Sequence, residues 1–403
     1  MGNDGFDEGG LARLHDLMTG YVESGALPGI VTLLSRNGET HVDAIGTNER
    51  GGEGRPIDRD TIFRISSVTK PITAAAAMAL VDDGVMGLDD PVDELLPELA
   101  DRQVLRRLDA AVDDTVSAER PITLRDLLTF RSGYGAVMAD PSTTPVVQAM
   151  IDLEVGLGPP SPQAVPPPDE WIARIGTLPL IHQPGEQWLY HTGADILGVL
   201  IARATGQTFD RYLNDRILVP LGMVDTGFFV PAESLPRLPT QYATDPETGA
   251  LFRYDQPVGQ WSSPPAFPGG GAGLVSTVDD LLAFGEMLLG RGRRGDGRVL
   301  SESAVELMTT DHLTTEQKAA SGLSENELAS FGWGFGMSVL TSSQGVGPSV
   351  GTFGWDGGLG TSWMADPVEG LVLALMTQVA WPNPEPPAVF RDFWRSAYEA
   401  LRR

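Results

Sequence analysis

A serine and a lysine stand three residues apart in the segment FRISSVTKPITAAAA, which spans residues 63–77. Only two of the 28 basic residues in the chain are lysines, Lys70 in this segment and Lys318. Positions i and i+3 of a helix share a face, with Cβ atoms about 5–6 Å apart, so Lys70 would lie beside the Ser67 hydroxyl. A serine needs a neighbouring base to become a nucleophile, and burial can lower the pKa of a lysine enough for it to serve, whereas arginine stays protonated. The pair therefore predicts a Ser67 nucleophile activated by Lys70; the competing interpretation is a capping serine followed by a surface lysine.

The element that must position this pair is a helix starting at Ser67 and ending near the Asp82-Asp83-Gly84 sequence. Pro71 fits only close to the start of a helix, because a proline deeper inside would break it. The start of a helix also supplies free backbone N–H groups and the positive end of the helix dipole, which stabilise a developing oxyanion. Ser66 has no lysine one turn ahead and can act only as a cap.

Two other kinds of catalytic site are excluded. GPSVG at 347–351 matches the G-x-S-x-G nucleophile elbow, but that motif needs a following helix and a later histidine. The next residues are the glycine-rich TFGWDGGLGTS, and the last histidine is His312. The chain has no cysteine, and its five histidines form no H-E-x-x-H motif or close cluster, so we predict neither a metal site nor a cofactor.

The pattern of elements predicts an α/β (α+β) protein. Residues 8–25 have helical apolar spacing, Asn37-Gly38 lies between two β-rich runs as in a hairpin, and strand-like runs cover 331–341, 359–366 and 370–379 before a final helix. Residues 1–80 and 266–403 would pair into one antiparallel sheet flanked by helices, and 81–265 would form a mainly helical insert, with the active site in the cleft between them. We expect the proline-rich loop within 156–171 to form one wall of this cleft.

Composition limits the partners. The 403 residues are 41% hydrophobic and carry a formal net charge of −26, which repels phosphate backbones and anionic lipids. We therefore expect no nucleic-acid partner and no membrane association, and with neither a signal peptide nor a long apolar run in the sequence we expect a cytoplasmic location. The oligomeric state is open.

Further segments extend the S-x-x-K pattern into a family resemblance. GEQWLYHTGADILGVLIARATGQ (185–207) looks like the segment that carries the Y-x-N/S element, and FGWDGGLGTSWMADP (353–367) looks like the strand that carries K-T-G or its W-x-G variant. PITLRDLLTFRSGYG (121–135) and GGAGLVSTVDDLLAF (270–284) are also similar to family segments. In this order, over about residues 28–380, the sequence resembles the serine β-lactamase and penicillin-binding-protein superfamily, closest to family VIII carboxylesterases. The resemblance implies a β-lactamase/transpeptidase-like fold.

The resemblance also implies roles for particular residues. Ser67 would be the nucleophile, Lys70 and Tyr190 would share the proton transfers, and the backbone N–H groups of Ser67 and Gly358 would form the oxyanion hole. The expected substrate-binding residues are Tyr134, Thr192, Trp355, Asp356 and Gly357. Structural roles compete with these assignments: Tyr190 could belong to the core, Gly357 and Gly358 could be bulge glycines, and Tyr134 could shape a turn.

Two departures from the family pattern bear on the substrate. Thr192 replaces the asparagine or serine of Y-x-N/S, and Trp355 stands where β-lactamases keep a lysine that holds the substrate carboxylate. Asp356 adds a negative charge there, so an anionic β-lactam should bind poorly. We therefore expect a cofactor-free serine hydrolase of small carboxylic esters. The alternatives are an amide-bond hydrolase (β-lactamase, D-aminopeptidase or DD-peptidase), an acyltransferase, and a non-catalytic relative that binds a ligand or partner.

Overall fold

The computed structural model describes residues 5–402 except 53, 138, 156–157, 322–329 and 344–346. Within these residues the helices are α1 Glu8–Glu23, α2 Thr69–Asp82, α3 Leu124–Leu128, α4 Pro145–Asp152, α5 Pro168–Gly176, α6 Thr192–Thr205, α7 Phe209–Leu213, α8 Val219–Leu221, α9 Val278–Leu289, α10 Glu302–Met308, α11 Thr315–Ala320 and α12 Ala388–Glu399. The strands are β1 Gly29–Arg36, β2 Glu39–Gly46, β3 Phe63–Arg64, β4 Gln103–Leu105, β5 Thr115–Ser117, β6 Gln241–Thr244, β7 Leu251–Asp255, β8 Val275–Ser276, β9 Arg293–Arg294, β10 Gly297–Arg298, β11 Phe331–Trp333, β12 Ser338–Leu340, β13 Phe353–Gly357, β14 Thr361–Asp366 and β15 Leu371–Thr377.

A seven-stranded antiparallel sheet joins the two ends of the chain. Its order is β11-β12-β13-β14-β15-β1-β2, and β1 pairs with β15 so that Ile30 lies opposite Thr377. The β1–β2 hairpin turns at Asn37 and Gly38, which both have positive φ (51° and 87°), as the predicted two-residue turn requires. The sequence prediction of one antiparallel sheet built from both chain ends is confirmed.

Helices cover both faces of the sheet, and strand β15 is apolar on both faces as a result. Leu371, Leu373 and Leu375 of β15 pack in a cluster with residues of α1 and α12. The alternate residues Val372 and Met376 face the main core on the opposite side. There α9 crosses the sheet, held partly by the Trp363 indole N–H, which donates to the Leu281 carbonyl at 3.0 Å.

Several local predictions hold in the structure. The first helix, the helix after the alanine run, the hairpin between β14 and β15, and the final helix all form where the sequence places them. The residues after the G-x-S-x-G match enter β13 rather than a helix, so the elbow geometry is absent at Ser349. In the part of the chain that the structure describes, no helix has the length and apolarity needed to cross a bilayer.

Residues between α2 and β8 form helices, of which α6 is the longest, and two-stranded sheets. Helix α6 contacts both α2 and α3, which connects this region to the helix that carries Lys70. The described part of the proline-rich loop lies against residues 254–263: the Gln163 amide bonds to the carbonyls of Gln260 and Ser263, and the Tyr254 hydroxyl donates to the Pro160 carbonyl. Residues 156–157 of that loop lie outside the described residues, and the boundaries at 80 and 266 remain predictions.

A buried ion pair anchors the short strand that leads to Ser67. The Arg64 side chain is completely buried, its Nε donates to Asp255 at 2.8 Å, and its other nitrogens donate to the carbonyls of Pro239 and Gln256. The guanidinium also lies over the Trp261 ring, 5.3 Å from its centroid. Arg64 therefore fixes β3 to residues 239–261 from inside the protein.

Removing one partner of this buried pair should lower the free energy of unfolding far more than breaking an exposed pair does. We expect Asp255→Ala to lower the free energy of unfolding by about 3–5 kcal/mol, because it leaves a buried guanidinium uncompensated. The matched control is Asp279→Ala, which breaks the exposed pair with Arg59 and should cost less than about 1 kcal/mol. Denaturant unfolding measures both variants, and equal losses would contradict the structural role given to Arg64.

Candidate active site

A strained turn presents Ser67. Residues Ser66–Val68 form one 3₁₀ turn between β3 and α2, and Ser66 has a φ of 46°, an unfavourable value for a residue with a side chain. Thus α2 begins two residues later than the sequence predicts, at Thr69, and Val68 rather than Ser66 takes its N-cap position. The turn leaves Ser67 at the start of the helix with 9% of its surface exposed.

Lys70 is completely buried beside this serine. Its Nζ lies 2.9 Å from Ser67 Oγ and 2.6 Å from the carbonyl oxygen of Gly271, and it stands 4.5 Å from the centroid of the Tyr190 ring. Burial lowers the pKa of Lys70 to about 7, against the opposing charge of Asp195. An amine with this pKa is present in both protonation states near neutral pH, as a general base needs.

Tyr190 also forms a hydrogen bond with Ser67. Burial raises the pKa of Tyr190 above its ordinary value, and hydrogen bonds with Ser67 and Trp355 only partly oppose the rise. The Trp355 indole N–H donates to Tyr190 Oη at 2.7 Å. Because the Tyr190 oxygen already accepts the indole N–H, its own O–H group is available to donate to Ser67 or to a bound substrate.

Aromatic rings hold Tyr190 in place. Its ring packs at 5.6–6.3 Å from the rings of Phe130, Trp188, Trp333 and Trp355. Trp333 and Trp355 meet edge to face, with centroids 4.7 Å apart. Such contacts stabilise by about 0.5–1.5 kcal/mol per pair, so the tyrosine is both a core residue and a site residue.

Two further polar residues, which sequence reasoning missed, complete the surroundings of Lys70. His191 Nδ1 lies 3.1 Å from Lys70 Nζ, and His191 Nε2 lies 3.0 Å from Asp195 Oδ2. Burial and the neighbouring Lys70 charge lower the pKa of His191. Burial pushes the pKa of Asp195 up, but His191, the Gly271 N–H and Lys70 together hold it below its ordinary value. The available signal was the i, i+4 spacing of His191 and Asp195 at a helix start.

A glycine loop closes the site from the side of β8. The Gly271 N–H donates to Asp195 Oδ1 at 2.8 Å while its carbonyl accepts from Lys70. A Cβ atom on Gly271 would lie 2.8 Å from His191 Nε2, and one on Gly270 would lie 2.3 Å from the Ala194 carbonyl oxygen. Glycine at both positions is what lets this loop reach the buried polar groups.

The predicted residues of the third motif lie at the end of β13. A Cβ on Gly357 would lie 2.3 Å from the Ile65 carbonyl oxygen, so β13 directly touches the turn that carries Ser67. Gly358 follows, exposed, and a Cβ there would meet no heavy atom within 4 Å. Trp355 and Asp356 are half-buried, and the Asp356 carboxylate is close enough to contribute to the raised pKa of Tyr190.

The other two predicted substrate-binding residues are buried. Thr192 is the first residue of α6 and is 3% exposed, and the contact to Lys70 comes from His191, its neighbour. The Tyr134 hydroxyl donates to the Leu178 carbonyl at 3.2 Å and lies 3.3 Å from an Arg102 nitrogen. Within the described residues, no group of three or more His, Asp or Glu side chains is arranged to hold a metal ion.

Comparison with known proteins identifies the family of this chain. A profile described as Beta-lactamase matches residues 14–392. The chain belongs to the Beta-lactamase family. Its sequence is 40% identical to protein Rv1367c of Mycobacterium tuberculosis over 88% of this chain and 87% of that protein. It is 30% identical to esterase EstB of Burkholderia gladioli over 92% and 91%.

A solved structure extends the family comparison to the fold. The structure of EstCE1, described as a hydrolase with promiscuous acyltransferase activity, superposes with a TM-score of 0.79 at 24% identity and covers 97% of this chain and 99% of its own. The fold is therefore the β-lactamase/transpeptidase-like fold that the resemblance implied. Within the Beta-lactamase family this chain is a serine hydrolase whose relatives are esterases and acyltransferases.

The hydrogen bond from Trp355 to Tyr190 can be tested by removing one N–H group. We expect Trp355→Phe to keep the ring packing but to lower kcat about 10-fold. The reason is that the Tyr190 phenol oxygen loses the hydrogen bond that the indole N–H donates to it. Trp363→Phe is the matched control: it also loses a buried indole N–H, but that group bonds to Leu281. It should lower the melting temperature and leave kcat unchanged, whereas similar kcat values for both variants would contradict a role for the Trp355 contact.

Proposed function

We propose that this protein hydrolyses small carboxylic esters through an acyl-enzyme formed on Ser67. The observation that carries the proposal is the completely buried Lys70 amine, 2.9 Å from Ser67 Oγ, with its pKa lowered to about 7. A surface lysine after a capping serine would be solvated and would keep its ordinary pKa. The burial of Lys70 therefore supports a general base over the structural interpretation of the S-x-x-K pattern.

In the proposed reaction, Ser67 Oγ attacks the ester carbonyl carbon as its proton moves to the neutral Lys70 amine. The carbonyl oxygen becomes an oxyanion, which the backbone N–H groups of Ser67 and Gly358 stabilise. The tetrahedral intermediate then expels the alcohol, whose oxygen takes the proton from Lys70 beside the hydrogen-bonding Tyr190 phenol. Water attacks the acyl-enzyme in the second half of the reaction, Ser67 regains its proton, and the carboxylic acid leaves.

The raised pKa of Tyr190 supports this division of roles. A phenol whose pKa lies above its ordinary value is neutral near pH 7 and acts as a hydrogen-bond donor, whereas Lys70 can accept a proton there. The two groups flank one serine oxygen, so their titrations are coupled and the measured values belong to the pair.

An ester is the favoured substrate class because of the residues at the end of β13. Trp355 provides no cation at the position of the family lysine, and Asp356 places a carboxylate near Tyr190. A substrate with its own carboxylate, such as a β-lactam, would be repelled by that charge. The description of EstB as an esterase, at 30% identity over 92% of this chain, further supports ester hydrolysis.

A short p-nitrophenyl ester tests the proposal. We expect Ser67→Ala to lower kcat at least about 1,000-fold, because the nucleophile is lost. Ser349→Ala removes the serine of the G-x-S-x-G match as a control and should keep wild-type turnover. Full turnover in Ser67→Ala would refute the acyl-enzyme, and faster turnover of nitrocefin than of the ester would refute the substrate class.

The pH dependence of kcat/KM should follow the protonation of Lys70. Below a pH of about 7 the folded protein holds Lys70 as an ammonium ion with no lone pair, and above this pH the amine is free to accept the Ser67 proton. We therefore expect kcat/KM to rise with pH through an inflection near 7 and then reach a plateau. Lys70→Arg should be inactive throughout, because a guanidinium stays protonated. A profile that is flat from pH 6 to about pH 8 would contradict Lys70 as the base.

A further inference from the structure

His191 separates two groups of opposite charge. Its Nδ1 faces Lys70 Nζ at 3.1 Å, and its Nε2 faces Asp195 Oδ2 at 3.0 Å. Without the ring, a lysine and a carboxylate enclosed in the same pocket would pair directly, and such a pair holds the lysine in its protonated form. A protonated lysine cannot act as a base, so the position of this imidazole bears directly on the state of Lys70.

The backbone places His191 there under strain. His191 has φ 82° and ψ −66°, and the Thr192 N–H donates to the Tyr190 carbonyl at 3.2 Å, which makes a γ-turn with its central residue at positive φ. This turn is rare and strained for a residue with a side chain. Gly271 confines the ring as well: a Cβ there would lie 2.8 Å from His191 Nε2, and the Gly271 N–H donates to Asp195.

The hydrogen-bonding capacity of Lys70 defines what the ring must do. Lys70 Nζ contacts Ser67 Oγ, His191 Nδ1 and the Gly271 carbonyl, and that carbonyl can only accept. A neutral amine has two N–H groups and one lone pair. If the Gly271 carbonyl and His191 Nδ1 accept the two N–H groups, the lone pair is left for the Ser67 proton. This requires Nδ1 to be bare, so the ring proton lies on Nε2, where Asp195 accepts it.

We propose that His191 and Asp195 are positioning residues for Lys70: the imidazole accepts from the lysine and directs its lone pair at Ser67, and Asp195 fixes the tautomer. The ring also keeps the carboxylate from pairing directly with the lysine. The inference rests on the proposed assignment of Ser67 as nucleophile and Lys70 as base. Among the described residues, the titratable groups facing His191 are Lys70 on α2 and Tyr190 and Asp195 on its own segment, with Asp356 on β13 farther away.

Two substitutions at His191 separate this role from a structural one. His191→Asn keeps an amide oxygen near the place of Nδ1, and His191→Gly removes the side chain. Glycine adopts this backbone conformation freely, and asparagine tolerates a positive φ better than most residues with a side chain. We expect His191→Gly to lower kcat/KM by about 100-fold and His191→Asn to recover at least about 10-fold of that loss. If backbone strain were all that mattered, His191→Gly would be at least as active as His191→Asn, and that result overturns the proposal.

The scarcity of lysine in this chain offers a direct second measurement. In protein labelled with ¹³C-lysine, Lys318→Arg leaves Lys70 as the only side-chain lysine signal, and Lys318 pairs with Asp311 outside the site. We expect the titration midpoint of Lys70 to rise by about one pH unit in His191→Gly, which exposes it to the Asp195 carboxylate. It should fall in Asp195→Asn, which removes that charge.

The proposed arrangement predicts these opposite shifts of the Lys70 midpoint, and measuring them requires no substrate. Midpoints that stay within about 0.3 units of wild type in both variants, or that move in the same direction, overturn the proposal. If the wild-type protein does not hydrolyse esters, the proposed function fails on its own, while the lysine titration still supports or overturns the role of His191 and Asp195.

Discussion

The burial of one amine dominates the centre of this structure. An isolated ammonium ion inside a protein is very unfavourable, and it is tolerated only when hydrogen-bond acceptors surround it or when it loses its proton. Lys70 meets both conditions. Three hydrogen-bonding atoms and an aromatic ring surround its amine, and its pKa is lowered. These atoms belong to the loop at Gly271, the γ-turn at His191 and the 3₁₀ turn at Ser67. Elements that are distant in sequence must therefore converge on one nitrogen atom.

Helix α2 has to be narrow for this convergence to occur. All its residues from Thr69 to Leu80 are buried, and four successive alanines, 74–77, follow the first turn. Small side chains let neighbouring backbones approach: a Cβ on Gly336 would lie 2.8 Å from the Lys70 carbonyl oxygen and 2.9 Å from the Ala74 Cβ. The alanine run thus leaves room for neighbouring backbone, such as that of Gly336, to pack directly against the helix that carries Lys70.

The sequence predicted the parts of this arrangement that depend on local spacing. The three-residue separation of Ser67 and Lys70, the Asn37-Gly38 turn and the apolar strands all act over a few residues, and each formed as expected. His191 and Asp195 were missed because their roles depend on a backbone conformation that non-glycine residues rarely adopt. Thr192 was the predicted site residue because it occupies the third position of the Y-x-N/S pattern. The γ-turn instead brings the preceding residue, His191, to Lys70. Family resemblance pointed to the segment around Tyr190 and Thr192, whereas only the fold shows that His191 is the side chain of this segment that lies 3.1 Å from Lys70 Nζ.

The pairing of β1 with β15 has a consequence for how the chain is made. Ile30 lies opposite Thr377, so the partner of β1 leaves the ribosome about 350 residues after β1 itself. At synthesis rates of about 5–20 residues per second, β15 is made about 20–70 s after β1, and until then the β15-facing edge of β1 is unpaired. During that interval the nascent chain carries an apolar strand with open backbone hydrogen-bonding groups, which can template pairing with other chains. The pairing of β1 with β15 thus ties completion of the scaffold under the active site to the last stage of translation.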